Sequence, residues 1–258
     1  MSLMIRENPA RVALLLIGIV LGYSALGSIA SAETFDEPVR KAVVILGRSP
    51  NLMPNNPSRI QLNCFYYPDF MVKELNDPGM KGVRWVTITP ALKGQLPTCR
   101  LSHGSTERFI DNEEWWGFEG VKDQLLFLRA ADGDENEGMV FRVLDWKTGK
   151  KVFEDSEWWN DHLEFVKDSD GRLSIKYLRV VGGACSIPKE GTSCWNKITK
   201  QFGLPPAPAP KCTGSSWEEA ISSAEEKEPS AIGYPVVVDL FPQPSINAVT
   251  GPVKCSQV

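Results

Sequence analysis

The sequence predicts an all-β fold, an antiparallel β-meander built as a sandwich or a propeller-like sheet, with a small disulfide-tethered α/β tail at the C-terminus. Three observations carry this. Residues 113–181 hold five apolar segments of strand length, at 124–129, 139–145, 150–155, 163–167 and 172–181. The connections at 145–150 and 168–171 contain Gly149 and Gly171, and glycine takes the positive φ that closes a hairpin. Six cysteines all fall after an N-terminal export-like segment, and an even number in that setting reads as a disulfide framework.

At the N-terminus, Arg6 and Arg11 flank the approach to an apolar run at 12–21, and Ala30, Ser31 and Ala32 supply the small residues of a cleavage site. This is the pattern of a secretory signal peptide over 1–32; an uncleaved anchor is the alternative. Gly18, Gly22, Ser24 and Gly27 break the run before it reaches the ~20 apolar residues of a comfortable span. Cleavage after Ala32 leaves 258 − 32 = 226 residues, and removing the segment's +1 (Arg6, Glu7, Arg11) takes the formal charge from −4 to −5. No further stretch is apolar enough to span a bilayer, so no stable membrane span is expected after cleavage. A mildly acidic chain also lacks the basic footprint that nucleic acid requires. The expected localisation is periplasmic or secreted.

The β-rich main domain is expected over 33–203. A first strand over 39–46 leads into a proline-rich loop at 49–57. In 59–66, Ile60, Leu62, Cys64 and Tyr66 alternate with Arg59, Gln61, Asn63 and Phe65, which turns Cys64 inward. The turn at 76–79 precedes a strand over 83–89, with Val86 and Ile88 on one face and Val83, Trp85 and Thr87 on the other. Strand character returns at 107–110. Leu125, Leu126, Phe127 and Leu128 run without alternation, as in a strand covered on both faces, whereas Leu173, Ile175 and Tyr177 alternate with polar residues as in a half-solvated one. Residues 204–211 are dense in proline and read as a stiff linker. Beyond it, 212–258 reads as an appendage: a short helix over 217–228 started by Ser215 or Ser216, and a strand over 236–241.

Six cysteines allow 15 connectivities. Pairing between sequence neighbours would join Cys64 to Cys99, Cys185 to Cys194 and Cys212 to Cys255. The connection at 132–138 places Asp132, Asp134 and Asn136 at alternate positions, as a calcium loop begins. Glu137 stands where an EF-hand loop needs glycine, so a solvated acidic loop explains it better. The triplets Glu114-Trp115-Trp116 and Glu157-Trp158-Trp159 recur 43 residues apart. On a strand, consecutive side chains point to opposite faces, so one tryptophan of each pair belongs to the core and the other can stack on a sugar ring.

No nucleotide fingerprint, nucleophile elbow or zinc-protease motif occurs, and no cofactor is expected. His103 lies in a polar loop where it could pair with a distant carboxylate. These features point to an exported, soluble, non-catalytic binding or scaffolding protein, with a glycan or another envelope protein as partner. The alternative is a secreted hydrolase acting on glycans through paired carboxylates, drawn from Glu113, Glu114, Glu157, Asp161 and Glu164 near the tryptophans.

Overall fold

In the computed structural model, which describes residues 34–110, 116–133, 138–159, 161–214 and 229–257, these alternating segments form two sheets, antiparallel except for one short parallel pair at an edge of the second. The first takes β1 (Arg40–Gly47), β2 (Ile60–Tyr66), β3 (Phe70–Asn76), β4 (Val83–Pro90) and β5 (Arg108–Ile110) in chain order. The rest of the chain supplies β6 (Trp116–Lys122), β7 (Leu125–Gly133), β8 (Gly138–Asp145), β9 (Lys151–Trp158), β10 (Glu164–Lys167) and β11 (Leu173–Gly182). These are followed by the helices α1 (Ile187–Glu190) and α2 (Thr192–Phe202), then β12 (Thr213–Gly214), β13 (Ser230–Asp239), β14 (Ser245–Ala248) and β15 (Lys254–Gln257). The second sheet runs β12-β15-β13-β11-β9-β8-β7-β6, with β10 added to β11 and β14 to β13. Both meanders follow chain order through β9: the turns joining β2 to β3, β6 to β7 and β8 to β9 are too short to cross over a neighbour, and the longer connections at 48–59 and 91–107 also join adjacent strands.

The unalternating run in β7 explains how the sheets meet. Leu125 and Phe127 enter one core with Phe141, Val143, Ile175 and Val236, while Leu126 and Leu128 enter a second with Val72, Val86 and Ile88 of the first sheet. Strand β7 is therefore covered on both faces. Glu74 of β3 adds a polar tie between sheets: its carboxylate accepts from the Phe118 amide at 2.8 Å and from Asn63 Nδ2 at 3.2 Å. A bulge between Leu75 and Asn76 shifts the β3–β4 register, so Val83 faces this shared core together with Val86 and Ile88, not with Trp85 and Thr87 as strict alternation predicts.

Residues 34–36 lie over β6. The Asp36 amide donates to the Val121 carbonyl at 2.7 Å, and the Phe35 ring packs edge-on against Phe127 and Phe165. Helix α2 covers the same core with Cys194, Trp195 and Ile198 and ends at Gly203, whose φ of 63° is the left-handed cap that glycine adopts without strain. The sequence pattern assigns no element to residues 187–202, which hold α1 and α2. The proline-rich stretch is seated on α2: Leu204 and Ala209 pack against the core, and Trp195 Nε1 donates to the Ala207 carbonyl at 2.7 Å. Strand β13 then pairs with β11 from Ser174↔Asp239 to Gly182↔Ala231, so the expected appendage contributes a long strand to the large sheet. The helix expected at 217–228 lies outside the described residues, as does the leader segment 1–32. Among the described residues, no helix is long and apolar enough to cross a membrane.

All six cysteines are paired: Cys64–Cys99, Cys185–Cys194 and Cys212–Cys255, with no free thiol.

Candidate functional site

The outer face of the first sheet carries the most unusual chemistry. Alternation along β3 turns Phe70, Val72 and Glu74 toward the second sheet, and therefore Met71, Lys73 and Leu75 away from it. That outer face is not left to solvent. The Cys64–Cys99 disulfide draws the 91–107 connection across it, and Leu96 and Cys99 pack with Leu62, Cys64, Tyr66 and Met71. Lys73 is consequently 2% exposed, and a buried ammonium is tolerated only with full hydrogen bonding and an opposite charge.

Glu107, just before β5, supplies that charge. Lys73 Nζ lies 2.7 Å from Glu107 Oε1 and donates to the carbonyls of Arg100 and Ser102 at 3.3 Å each. Three partners match the three protons of an ammonium. Glu107 Oε1 also accepts from the Thr87 hydroxyl and lies 3.1 Å from His103 Nδ1, while Oε2 accepts from the Gly104 amide at 3.1 Å. Burial alone would raise the Glu107 carboxyl. The hydrogen bonds from Lys73, Thr87, His103 and Gly104 outweigh it and hold the group below its ordinary range, as a carboxylate.

Over this ion pair opens a cleft of about 470 Å³. Its polar walls come from Gln95, Thr98, Ser102, Ser105 and Thr106 and from the cationic Arg100, and its apolar floor includes Met71 and Leu96. Thr89 also lines it, and its buried hydroxyl has no hydrogen-bond partner among the described residues. Beside it, Trp85, His103 and Phe109 form an aromatic cluster, with ring centroids 5.0 Å apart for Trp85–His103 and 4.5 Å for His103–Phe109. Phe109 is 53% exposed. The arrangement can hold a ligand by hydrogen bonds from neutral side chains and from Arg100, with ring contacts beside it, over a self-neutralised ion pair.

The chain matches no protein-family model, no curated protein and no solved structure. Function is therefore argued from the site.

The residues favoured by sequence lie elsewhere. Trp116 is 1% exposed in the core between the sheets, with the Arg142 guanidinium 4.3 Å above its ring. Trp158 is half-buried against Gly233, and Trp159 is 49% exposed. Trp115, Asp134 and Asn136 lie outside the described residues, and of Asp132 only the backbone, in β7, is described. Among the described residues, no three His, Cys, Asp or Glu side chains are grouped to hold a metal ion. His103 does pair with a carboxylate, but a near one, four residues on. Lys73 was overlooked because β3 itself was not read as a strand. Phe70, Val72, Met71 and Leu75 are the pattern of a doubly covered strand, and a lysine among them signals a buried ion pair.

A second polar group sits at the junction of β9 and β11, which pair only at Arg179↔Glu157. Glu157 is fully buried; Arg129 lies against one of its oxygens and pairs with Glu119 at 3.1 Å. Burial pushes the Glu157 carboxyl up to about 8, with Arg129 opposing and Glu119 and Asp161 adding to the rise. Next to it, Arg179 pairs with Asp155 at 2.7 Å, and Asp155 accepts from the Tyr177 hydroxyl.

Proposed function

We propose that this chain is an exported binding protein, periplasmic or secreted, that holds a hydroxyl-rich ligand of the saccharide class in the cleft over β3 and β4. The observation that carries the reading is the cleft's lining: five uncharged hydrogen-bonding side chains, the Arg100 guanidinium, and the Thr89 hydroxyl, which has no partner among the described residues, above an ion pair whose charges cancel. A sugar presents hydroxyls that donate and accept and an apolar ring face. The exposed Phe109 ring and its neighbour Trp85 give such a face somewhere to stack. Export is supported by the leader-like segment at 1–32 and by three disulfides, which persist in oxidising compartments.

Binding without turnover fits the acid–base inventory. Hydrolysis by a glycosidase uses two carboxyl groups, one of them held protonated. Glu107 is the only carboxylate among the described residues lining the cleft, and it is engaged as an anion by four donors. The test is a glycan array probed with the exported chain, repeated with Gln95→Ala and Phe109→Ala, together with chromogenic glycosides. The reading expects saccharide binding that weakens in both variants and no turnover. An empty array, or binding indifferent to both substitutions, refutes it, and turnover transfers the assignment to a hydrolase.

A further inference from the structure

On the other side of β5 the chemistry changes sign. Glu107 lines the cleft over β3 and β4, whereas Arg108, with Phe109 and Ile110, lines a cavity of about 370 Å³ where β5 meets β8 and β9. Arg108, Arg142 and Lys151 line that cavity, and no carboxylate does so among the described residues.

The three cations are held in position by protein groups behind them. Arg108 Nη1 donates to the Trp146 carbonyl at 2.9 Å, and the Arg142 guanidinium lies over the Trp116 ring and pairs with Glu154. Lys151 Nζ reaches the same Glu154 at 3.0 Å. Arg142 and Lys151 thus share one carboxylate, and Arg108 is held by a carbonyl. Burial would raise the Glu154 carboxyl, yet Arg142 and Lys151 hold it low. Gly149 keeps the wall open. A Cβ there would lie 2.6 Å from Arg108 Cδ, so any side chain would push Arg108 out of its place. Like charges gathered around a cavity repel one another, and an anion between them reverses the sign of that interaction.

We propose that this seam cavity is an anion site that takes a carboxylate- or phosphate-bearing group between Arg108, Arg142 and Lys151. It is separate from the saccharide cleft and stands or falls independently of it. Guanidinium groups engage both oxyanions through paired N–H donors, and the ammonium adds a point charge.

The test is a titration of the protein at low ionic strength with inorganic phosphate and, separately, with glucuronate. Calorimetry and tryptophan fluorescence serve as readouts, since Trp116 lies under Arg142. Saturable binding of at least one anion is expected, tighter for the class the site serves and weakened by added salt. Arg108→Gln and Lys151→Gln should each reduce it by about tenfold or more, the loss expected when a charge-assisted contact disappears. Lys200→Gln, an exposed lysine on α2, should leave it unchanged. Lys151 is 53% exposed, so its variant folds even where Arg108→Gln does not. The proposal is overturned if neither anion binds saturably, if both cavity variants bind as the parent does, or if Lys200→Gln weakens binding equally.

Discussion

Replacing Glu157 by Gln should flatten the pH dependence of stability. Glu157 is fully buried with its carboxyl pushed from the ordinary 4.5 to about 8, chiefly by burial. The folded state therefore keeps a proton that the unfolded chain has released between those two values. Stability from this group is complete below about 4.5, declines as pH rises, and is gone above about 8. The slope for one proton is roughly 1.4 kcal/mol per pH unit, which sums to a few kcal/mol across the window. Glutamine mimics the protonated carboxyl in shape and does not titrate, so the variant should lose this slope and gain on the parent as pH rises. Arg129 keeps its partner Glu119 in the variant. Urea unfolding of both proteins at pH 5, 6, 7 and 8 measures the difference, and subtraction removes the titrations of the other groups they share. Parallel curves would refute the reasoning. They would mean that Glu157 is ionised in the fold throughout this range and that its pairing with Arg129 prevails over burial.

Lys73→Met strands Glu107 as a buried, unpaired anion and should cost about 3–5 kcal/mol in denaturant unfolding, while adding Glu107→Gln should recover part of that loss. Trp116→Ala should cost about 3–5 kcal/mol, as truncating a buried large aromatic does, whereas the exposed Trp159→Ala should stay within about 0.5 kcal/mol. Gly233→Ala drives a Cβ into the Trp158 ring and should cost about 1–3 kcal/mol, with a fluorescence change as that ring moves. Thiol titration of the denatured, unreduced protein should find no free thiol, and removing Cys185–Cys194, nine residues apart, should cost about 2–3 kcal/mol by chain entropy.

The strands around β7 and β11 could be read from sequence because hydrophobic pattern alone fixes their burial: Leu125–Leu128 has no polar face to expose, and Leu173, Ile175 and Tyr177 have one. The turns were legible for the same local reason, and Gly149 and Gly171 do adopt positive φ, at 69° and 77°. Helix α2 was not, because its 11 residues include three of weak propensity, Thr192, Asn196 and Thr199; docking of Trp195 and Ile198 on the sheet supplies what propensity lacks. The first half of β13 was hidden by Gly233, which breaks the strand pattern yet leaves room for the Trp158 ring. The candidate site stayed out of reach for a different reason. Lys73, Thr87, Thr89 and Glu107 converge only once β3, β4 and the disulfide-bound loop are in register, and a pattern read along the chain carries no information about which strands become neighbours.

The order of the three disulfides along the chain has a consequence for biogenesis. Each cysteine pairs with the next one in sequence, so the closed segments 64–99, 185–194 and 212–255 neither overlap nor enclose one another. A polypeptide threaded N-terminus first into an oxidising compartment presents its thiols two at a time. The native partner of every odd-numbered cysteine is then the next to arrive, and each bond can close before a competitor is in reach. Consecutive oxidation by a simple thiol oxidase should suffice, with no isomerase needed to unscramble mispaired intermediates.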